Sequence, residues 1–355
     1  MSINNKEHLL TEFSHGAGCG CKIAPQVLQR MLQGNVKSRH DSRLIVGNEG
    51  NEDAAAFDLG NGMTLLSTAD FFMPVVDDAF DFGRVAAANA ISDVYAMGGK
   101  PVLALAILGW PLDLLPPELA SRVIDGARTI CEEAGITLAG GHTIDNKEPL
   151  FGLSVNGLVR REHLKRNNTA REGDLLFITK PLGTGVLATA RKKKLLAAAH
   201  YETLVDQLCT LNKTGEILGK SAGVHAMTDV TGFGLMGHLL EMAEGSGLPA
   251  ELWYNRIITL PGTADYISKG AIPDATFRNW NAYQAKVDFA DGVNVTEAFS
   301  LLPDPQTNGG LLFAADPEAL EDICSILSTN GLHDYCEPVG RITPAGGKPL
   351  LVKNN

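Results

Sequence analysis

Short apolar runs alternate with polar turns marked by glycine and proline along most of the chain. Residues 63–68 (MTLLST) are a run of strand length ending at Ala69-Asp70. Residues 82–97 carry apolar and small side chains at helical spacing, and Gly98, Gly99 and Pro101 supply a stop. A strand over 102–108, an amphipathic helix over 117–134 closed by Gly135, a short strand over 136–139 entering Gly140-Gly141 and a strand over 151–159 follow. After a charged stretch at 160–172 (RREHLKRNNTARE) the pattern restarts, with a strand over 174–179 and a helix behind the PLGTG turn. Residues 203–218 read as one helix, 224–228 as a strand leading into Asp229, and 232–244 as a glycine-punctuated helix. The runs 311–314 and 350–352 read as closing strands. Strands and helices alternate without an internal repeat, which predicts an α/β or α+β class. The charged stretch is the predicted boundary. It divides the chain into a flexible glycine/cysteine-rich segment (1–45), a first domain (46–165) and a second (166–355).

Composition narrows the function. The 355 residues suit two domains, and 45% hydrophobic with 20% charged residues excludes general disorder. Thirty basic against 41 acidic residues give a net charge of −11, which argues against nucleic acid or an anionic membrane as main partner. The longest apolar stretch, 102–111, is far short of a membrane span, and no basic-then-apolar leader opens the chain. Six cysteines are too sparse for a disulfide scaffold, so a cytoplasmic protein is expected. Glycine is in excess, 38 residues against a usual ~7%, as expected where backbone must approach a ligand.

Three features could carry chemistry. In SHGAGCGCK (14–22), Cys19, Cys21 and Lys22 lie within four residues of a glycine-rich loop. A lysine beside a thiol favours the thiolate, so Cys19 or Cys21 is a candidate nucleophile or handler of soft atoms. A zinc knuckle of His15, Cys19 and Cys21 falls short of four ligands. The second feature is a set of aspartates at predicted element ends: Asp53, Asp70, Asp93 and Asp229. Asn89 and Asp93 are four apart on one helix face. Any one such residue is more commonly a cap or turn residue, but four beside small-residue runs suit Mg²⁺ and substrate phosphates. The third feature is glycine turns at 140–143, 183–185 and 231–234, whose N–H groups could hold phosphate oxygens. Neither a Walker A pattern nor GxGxxG after a strand occurs.

Together these segments resemble the selenophosphate synthetase (selenide, water dikinase) family, within the aminoimidazole-ribotide synthetase superfamily. The matching stretches are SHGAGCGCKI, EDAAAFDLGNG, STADFFMPVVDD, NAISDVYAMGGKP, LAGGHTID, TKPLGTGV, AMTDVTGFGLMGHL and DPQTNGG. The resemblance implies a two-domain α/β (α+β) chain that dimerises through its N-terminal sheet-and-helix domain. It implies conversion of ATP, selenide and water to selenophosphate, phosphate and AMP, with several Mg²⁺ ions. A potassium requirement stays open. By motif, Cys19 and Lys22 match the catalytic positions. Asp53, Asp93 and Asp229 match magnesium ligands. Lys22, Gly50, Asn51, Glu52, Asp70, Asp93, Gly141, His142 and Thr143 match nucleotide contacts. Asn308 stands where serine is expected, and Glu52 where a second aspartate is common. Two rivals share part of the pattern: another ATP-dependent enzyme of the superfamily, which has no need of the two thiols and Lys22, and a thiol or metal carrier without turnover.

Overall fold

The computed structural model of the chain describes residues 8–23, 25–32, 41–47 and 51–355. After α1 (Pro25–Leu32), a first sheet contains β1 (Leu44–Val46), β2 (Ala55–Asp58), β3 (Met63–Phe72), β4 (Lys100–Trp110), β5 (Thr137–Asp145) and β6 (Leu150–Arg160). Its order is β1-β2-β3-β6-β4-β5, antiparallel except for the parallel pair β4/β5. The two-residue period of the strands sends Leu66, Ala104, Leu153 and Val155 under α2 (Ala79–Ala96) and α3 (Pro117–Glu133). The opposite face leaves Leu103, Leu105 and Phe71 exposed.

The helix α2 starts where the Asp78 carboxylate accepts the Asp81 N–H at 3.0 Å, an N-cap that satisfies one free donor of the first turn. It is alanine-rich and buried on nearly every side. Small side chains allow this, because α2 lies between the first sheet, α3 and elements of the second half.

The second sheet contains β7 (Leu175–Ile178), β8 (Val224–Asp229), β9 (Ala250–Trp253), β10 (Val287–Phe289), β11 (Leu311–Ala315), β12 (Gly340–Ile342) and β13 (Leu350–Lys353). Its order is β10-β13-β9-β12-β7-β11-β8, with β10/β13 and β13/β9 parallel and the other pairs antiparallel. Between and around these strands run α4 (Thr184–Lys192), α5 (Ala198–Cys209), α6 (Thr214–Lys220), α7 (Gly234–Ser246), α8 (Thr263–Ser268), α9 (Asp274–Tyr283), α10 (Val295–Leu301) and α11 (Leu320–Thr329). Val186, Leu187, Leu204 and Leu208 of α4 and α5 join the core of the first half. At roughly 1.5–3 kcal/mol for each fully buried apolar side chain, this shared core holds the halves together. Among the described residues no helix is long and apolar enough to cross a membrane.

Several expectations are corrected. The strand expected to end at Asp70 continues as β3 to Phe72, because Asp70 pairs with Leu153 in an unbroken ladder. The run 203–218 is two helices, α5 and α6, separated at 210–213. The glycines at 140 and 141 lie inside β5 and do not form a turn. The charged stretch 160–172, where the boundary is expected, joins the two halves and is itself packed against them. Lys165 is buried and donates to the carbonyls of Ser221 (2.8 Å) and Val224 (2.7 Å), and Arg166 pairs with Glu52 at 3.0 Å. Residues 10–20 of the N-terminal segment are docked as well. Leu10 is buried in the core, Lys192 donates to the Gly16 carbonyl at 3.0 Å, and Arg278 donates to that of Gly20 at 2.7 Å.

Candidate active site

Four aspartates from different elements face one cleft between the halves, each steadied by a donor from elsewhere. Thr68 Oγ1 on β3 donates to Asp93 Oδ2 on α2 at 2.5 Å. Ser92 Oγ on α2 donates to Asp229 Oδ2 at the end of β8 at 2.5 Å. Thr228 Oγ1 on β8 donates to Asp53 Oδ1, ahead of β2, at 2.8 Å. Asn89 Nδ2 on α2 donates to Asp70 Oδ2 on β3 at 2.5 Å. Burial raises the pKa of Asp53, Asp93 and Asp229. For Asp53 and Asp93 the next cause is the charge of Asp229, and Asp70 adds to it for Asp93. Asp53 Oδ2 is buried without a hydrogen-bond partner. Carboxylates held together at this cost, one with an idle oxygen, are a donor set that calls for a cation. Among the described residues, no group of three or more His, Cys, Asp or Glu side chains is already drawn close enough to hold a metal ion by itself. What these carboxylates suit is a hard divalent cation such as Mg²⁺, which keeps waters and takes only a few carboxylates beside substrate phosphates.

Cys19 lies in a 3-10 turn, Gly18–Cys21, pinned to the cleft. Its N–H donates to Thr307 Oγ1 at 3.1 Å, and its thiol donates to Asn89 Oδ1 at 3.1 Å. The docking needs two glycines. Gly18 has φ +51° and a Cβ there would lie 2.3 Å from Thr307 Oγ1; a Cβ on Gly232 would lie 2.5 Å from the Cys19 carbonyl oxygen. Cys19 is only 2% exposed. Burial first, and then Asp70, push its pKa well above the ordinary thiol range, against the opposing pull of Lys22. The expected thiolate is thus overturned here: the neighbouring lysine is outweighed, and Cys19 stands as a thiol. The backbone at Cys19 and Cys21 is a 3-10 turn and not extended.

Lys22 reaches Thr231 Oγ1 at 3.5 Å and is ringed by acids. Desolvation works against its charge, but the carboxylates of Asp70, Asp93 and Asp229 raise its pKa, so it remains an ammonium. Lys180 is the opposite case. It is buried, donates to the carbonyls of Thr210 (2.7 Å) and Asn308 (2.9 Å), and is pushed down to about 7 by burial.

The loop 304–310 organises the second half of the site. Gln306 Oε1 accepts the N–H groups of Gly183 and Thr184, and Asp304 accepts those of Gly185 and Val186. The donors of the 183–185 turn are therefore already taken, which corrects its reading as a phosphate cradle. Asn308, at φ +48°, donates its N–H to Asn89 Oδ1 and its amide to the carbonyls of Leu208 and Thr210.

Other expected contacts scatter. Gly50 lies outside the described residues. Asn51 is exposed at the rim, and Asn167 donates to its carbonyl at 3.0 Å. Glu52 has both oxygens engaged, by Arg166 and by the Asn167 N–H, so its carboxylate ties the two halves together. Gly141, His142 and Thr143 lie on β5, the exposed edge of the sheet. Asp70, Leu153, Ala106 and Gly141 are in register across four strands, which puts Gly141 about 14 Å from Asp70 at roughly 4.8 Å per strand. Residues missed as site members are Thr68, Ser92, Thr228, Thr307 and, as a hub, Asn89. Thr68, Ser92, Thr228 and Asn89 lie one to four positions from an aspartate already singled out, and Thr307 lies in the DPQTNGG stretch.

Family models for AIR synthase related proteins match the chain over residues 51–159 (N-terminal domain) and 171–353 (C-terminal domain). The chain is 52% identical to the selenide, water dikinase of Cronobacter sakazakii over 96% of this chain and 97% of that one. It is 51% identical to that of Yersinia pestis, covering 97% of each. In fold it is similar to thiamine-monophosphate kinase from Stenotrophomonas maltophilia (TM-score 0.64, 22% identity, 94% and 96% of the two chains). It is likewise similar to the hydrogenase maturation protein HypE in complex with ATP (TM-score 0.65, 17% identity, 97% and 94%). With half its residues shared along nearly the full length, the chain belongs to the selenide, water dikinase (selenophosphate synthetase) family of the AIR synthase related proteins.

Proposed function

We propose that this chain converts ATP, selenide and water to selenophosphate, phosphate and AMP, in the cytoplasm, at the cleft between its halves. The observation that carries the assignment of the site is the convergence of the buried thiol of Cys19, the ammonium of Lys22 and the carboxylates of Asp53, Asp70, Asp93 and Asp229. Two carboxylates ~4 Å apart repel by about 4 kcal/mol at an effective dielectric near 20, so acids beside a triphosphate require cations. Mg²⁺ held by Asp53, Asp93 and Asp229 would neutralise phosphate charge. Phosphoryl transfer asks mainly for such neutralisation and for positioning.

The chain's own residues do the rest. Thr68, Ser92 and Thr228 orient the ligand carboxylates. Lys22, fixed as a cation, stabilises charge that builds on the transferred phosphoryl group. Cys19, screened from water and held between Asn89 and Thr307, is placed to present a soft nucleophile to that group. Asn51 and Asp70 contribute to the nucleotide side of the cleft. We further propose a homodimer built on the exposed face and edge of the first sheet. Gly141, His142 and Thr143 would then meet nucleotide held mainly by the other copy.

Anaerobic ³¹P NMR of ATP with the chain tests the reading. AMP, orthophosphate and a selenium-coupled phosphorus signal are expected with selenide, and loss of that signal in Cys19→Ser with ATP binding retained. ATP hydrolysis that ignores selenide would sink it, and full activity of Cys19→Ser would remove the cysteine from the mechanism.

A further inference from the structure

Two cysteines outside the cleft stand together. Cys324 lies on α11, and Cys336 follows the 3-10 turn His333–Tyr335. Between them the chain reverses at Gly331 (φ +76°), where the Gly331 N–H bonds to the Ser328 carbonyl at 3.1 Å and the Leu332 N–H bonds to that of Leu327 at 2.8 Å. This glycine stop with paired bonds folds the following turn back along the helix. Each sulfur then reaches the backbone of the other cysteine. The Cys324 thiol reaches the Cys336 carbonyl at 3.5 Å, and the Cys336 thiol reaches the Cys324 carbonyl at 3.7 Å. Ser328 Oγ lies 3.6 Å from the Cys336 sulfur. Both residues are half-buried, so a small oxidant can reach them. The Cys324 thiol is pushed up by burial and then by its contact with Cys336, which leaves Cys324 the poorer first nucleophile of the two.

We propose that Cys324 and Cys336 are a redox modification site that closes reversibly to an intrachain disulfide when a small disulfide such as oxidised glutathione is present. The sulfur of Cys336 attacks the glutathione disulfide, forms a mixed disulfide and expels one glutathione. The sulfur of Cys324 then attacks the Cys336 sulfur and expels the second. Two thiols lose two electrons and two protons, and one glutathione disulfide becomes two glutathiones. The staple fixes the turn after α11, whose Ile323 and Leu327 pack in one core with Ala96 of α2 and Met227 of β8. Its effect falls on the stability of that layer, away from the Cys19 chemistry.

The sequence makes the test direct. Trypsin releases residues 287–341 as one peptide holding Cys324 and Cys336 and no other cysteine. The full chain is treated with oxidised glutathione, capped with N-ethylmaleimide and digested. The expected peptide is two hydrogens lighter, carries no maleimide, and takes up two after dithiothreitol. Hydrogen exchange of residues 330–336 should slow by roughly tenfold on oxidation, as local opening is restrained. Cys324→Ser should stop at a Cys336–glutathione adduct and keep selenide-dependent turnover. Two maleimides on the peptide after treatment, or two separate glutathione adducts, would overturn the proposal. So would linkage of Cys336 to a different cysteine.

Discussion

Cys19 shows how one side chain answers to several charges at once. Its thiol proton rests on Asn89 Oδ1, while the amide of the same Asn89 donates to Asp70. Asp70 raises the Cys19 pKa and Lys22 lowers it, after burial has already raised it. Removing the Asp70 charge therefore has a definite sign. Asp70→Asn, made in a Cys21→Ser background, should shift the alkylation pH profile of Cys19 to lower pH and speed its reaction with iodoacetamide at pH 8. The same variant should weaken nucleotide turnover, because Asp70 faces the cleft. An unshifted profile would mean that Asp70 does not govern the thiol. The lysine beside the cysteine was legible in the sequence and pointed to a thiolate. The outcome differs because Asp70 and the burial come from β3 and from the packing of two halves, which local spacing does not reveal. Asn89 was visible beside Asp93 as a face-sharing pair. Its role as hub depends on Asn308 and Cys19, 219 and 70 positions away, meeting at one amide.

The helix α4 carries its own pH signature. Its first turn is capped from outside by Asp304, which accepts the Gly185 and Val186 N–H groups. Asp304 is fully buried, one of its oxygens lacks a partner, and burial lifts its pKa to about 8. In the unfolded chain the group titrates in the ordinary carboxylate range near 4. A pKa raised in the folded state contributes stability that is complete below the unfolded value and lost as pH rises through the folded one. Between pH 4 and 8 the folded chain holds up to one extra proton here, a slope of at most about 1.4 kcal/mol per pH unit. Asp304→Asn keeps an acceptor for the helix N–H groups and removes the titration. Thermal unfolding followed from pH 5 to 9 should show the wild-type chain losing stability relative to Asp304→Asn as pH rises; parallel curves would refute the shift. Elements with a strong pattern, such as β3, α2 and α3, were legible to within a few residues because helix stops and β alternation are local. Short strands such as β1, β2, β9 and β12 were missed. They are three or four residues long and owe their existence to a neighbouring strand. The glycines of β5 misled for a related reason: a parallel edge pairing with β4 holds them extended.

The two halves share a core, and the cleft between them takes Asp53, Asp70 and Asp93 from one side and Asp229, Thr231 and Thr307 from the other. One group of expected contacts stays outside. Gly141, His142 and Thr143 are about 14 Å from Asp70 within the chain, at an edge where Ile144 is 53% exposed. The face beside them exposes Phe71, Val102, Leu103 and Leu105. An apolar face continuous with an open edge strand is costly in water and suits a second copy of the same surface. A twofold axis through this face would repeat the strand next to the neighbouring cleft. Phe71→Asp with Ile144→Asp places like charges against each other across such an axis while leaving the buried side of the sheet untouched. Sedimentation velocity should then show a dimer for the wild-type chain and a monomer for the double variant. Circular dichroism of the two should be the same. If the β5 segment serves the other copy's nucleotide, selenide-dependent AMP formation should fall by roughly two orders of magnitude, the scale of a lost phosphate-positioning contact. A folded monomer with full turnover would show that each chain carries a complete site and that Gly141–Thr143 have no part in it. A monomeric wild-type chain would remove the dimer itself.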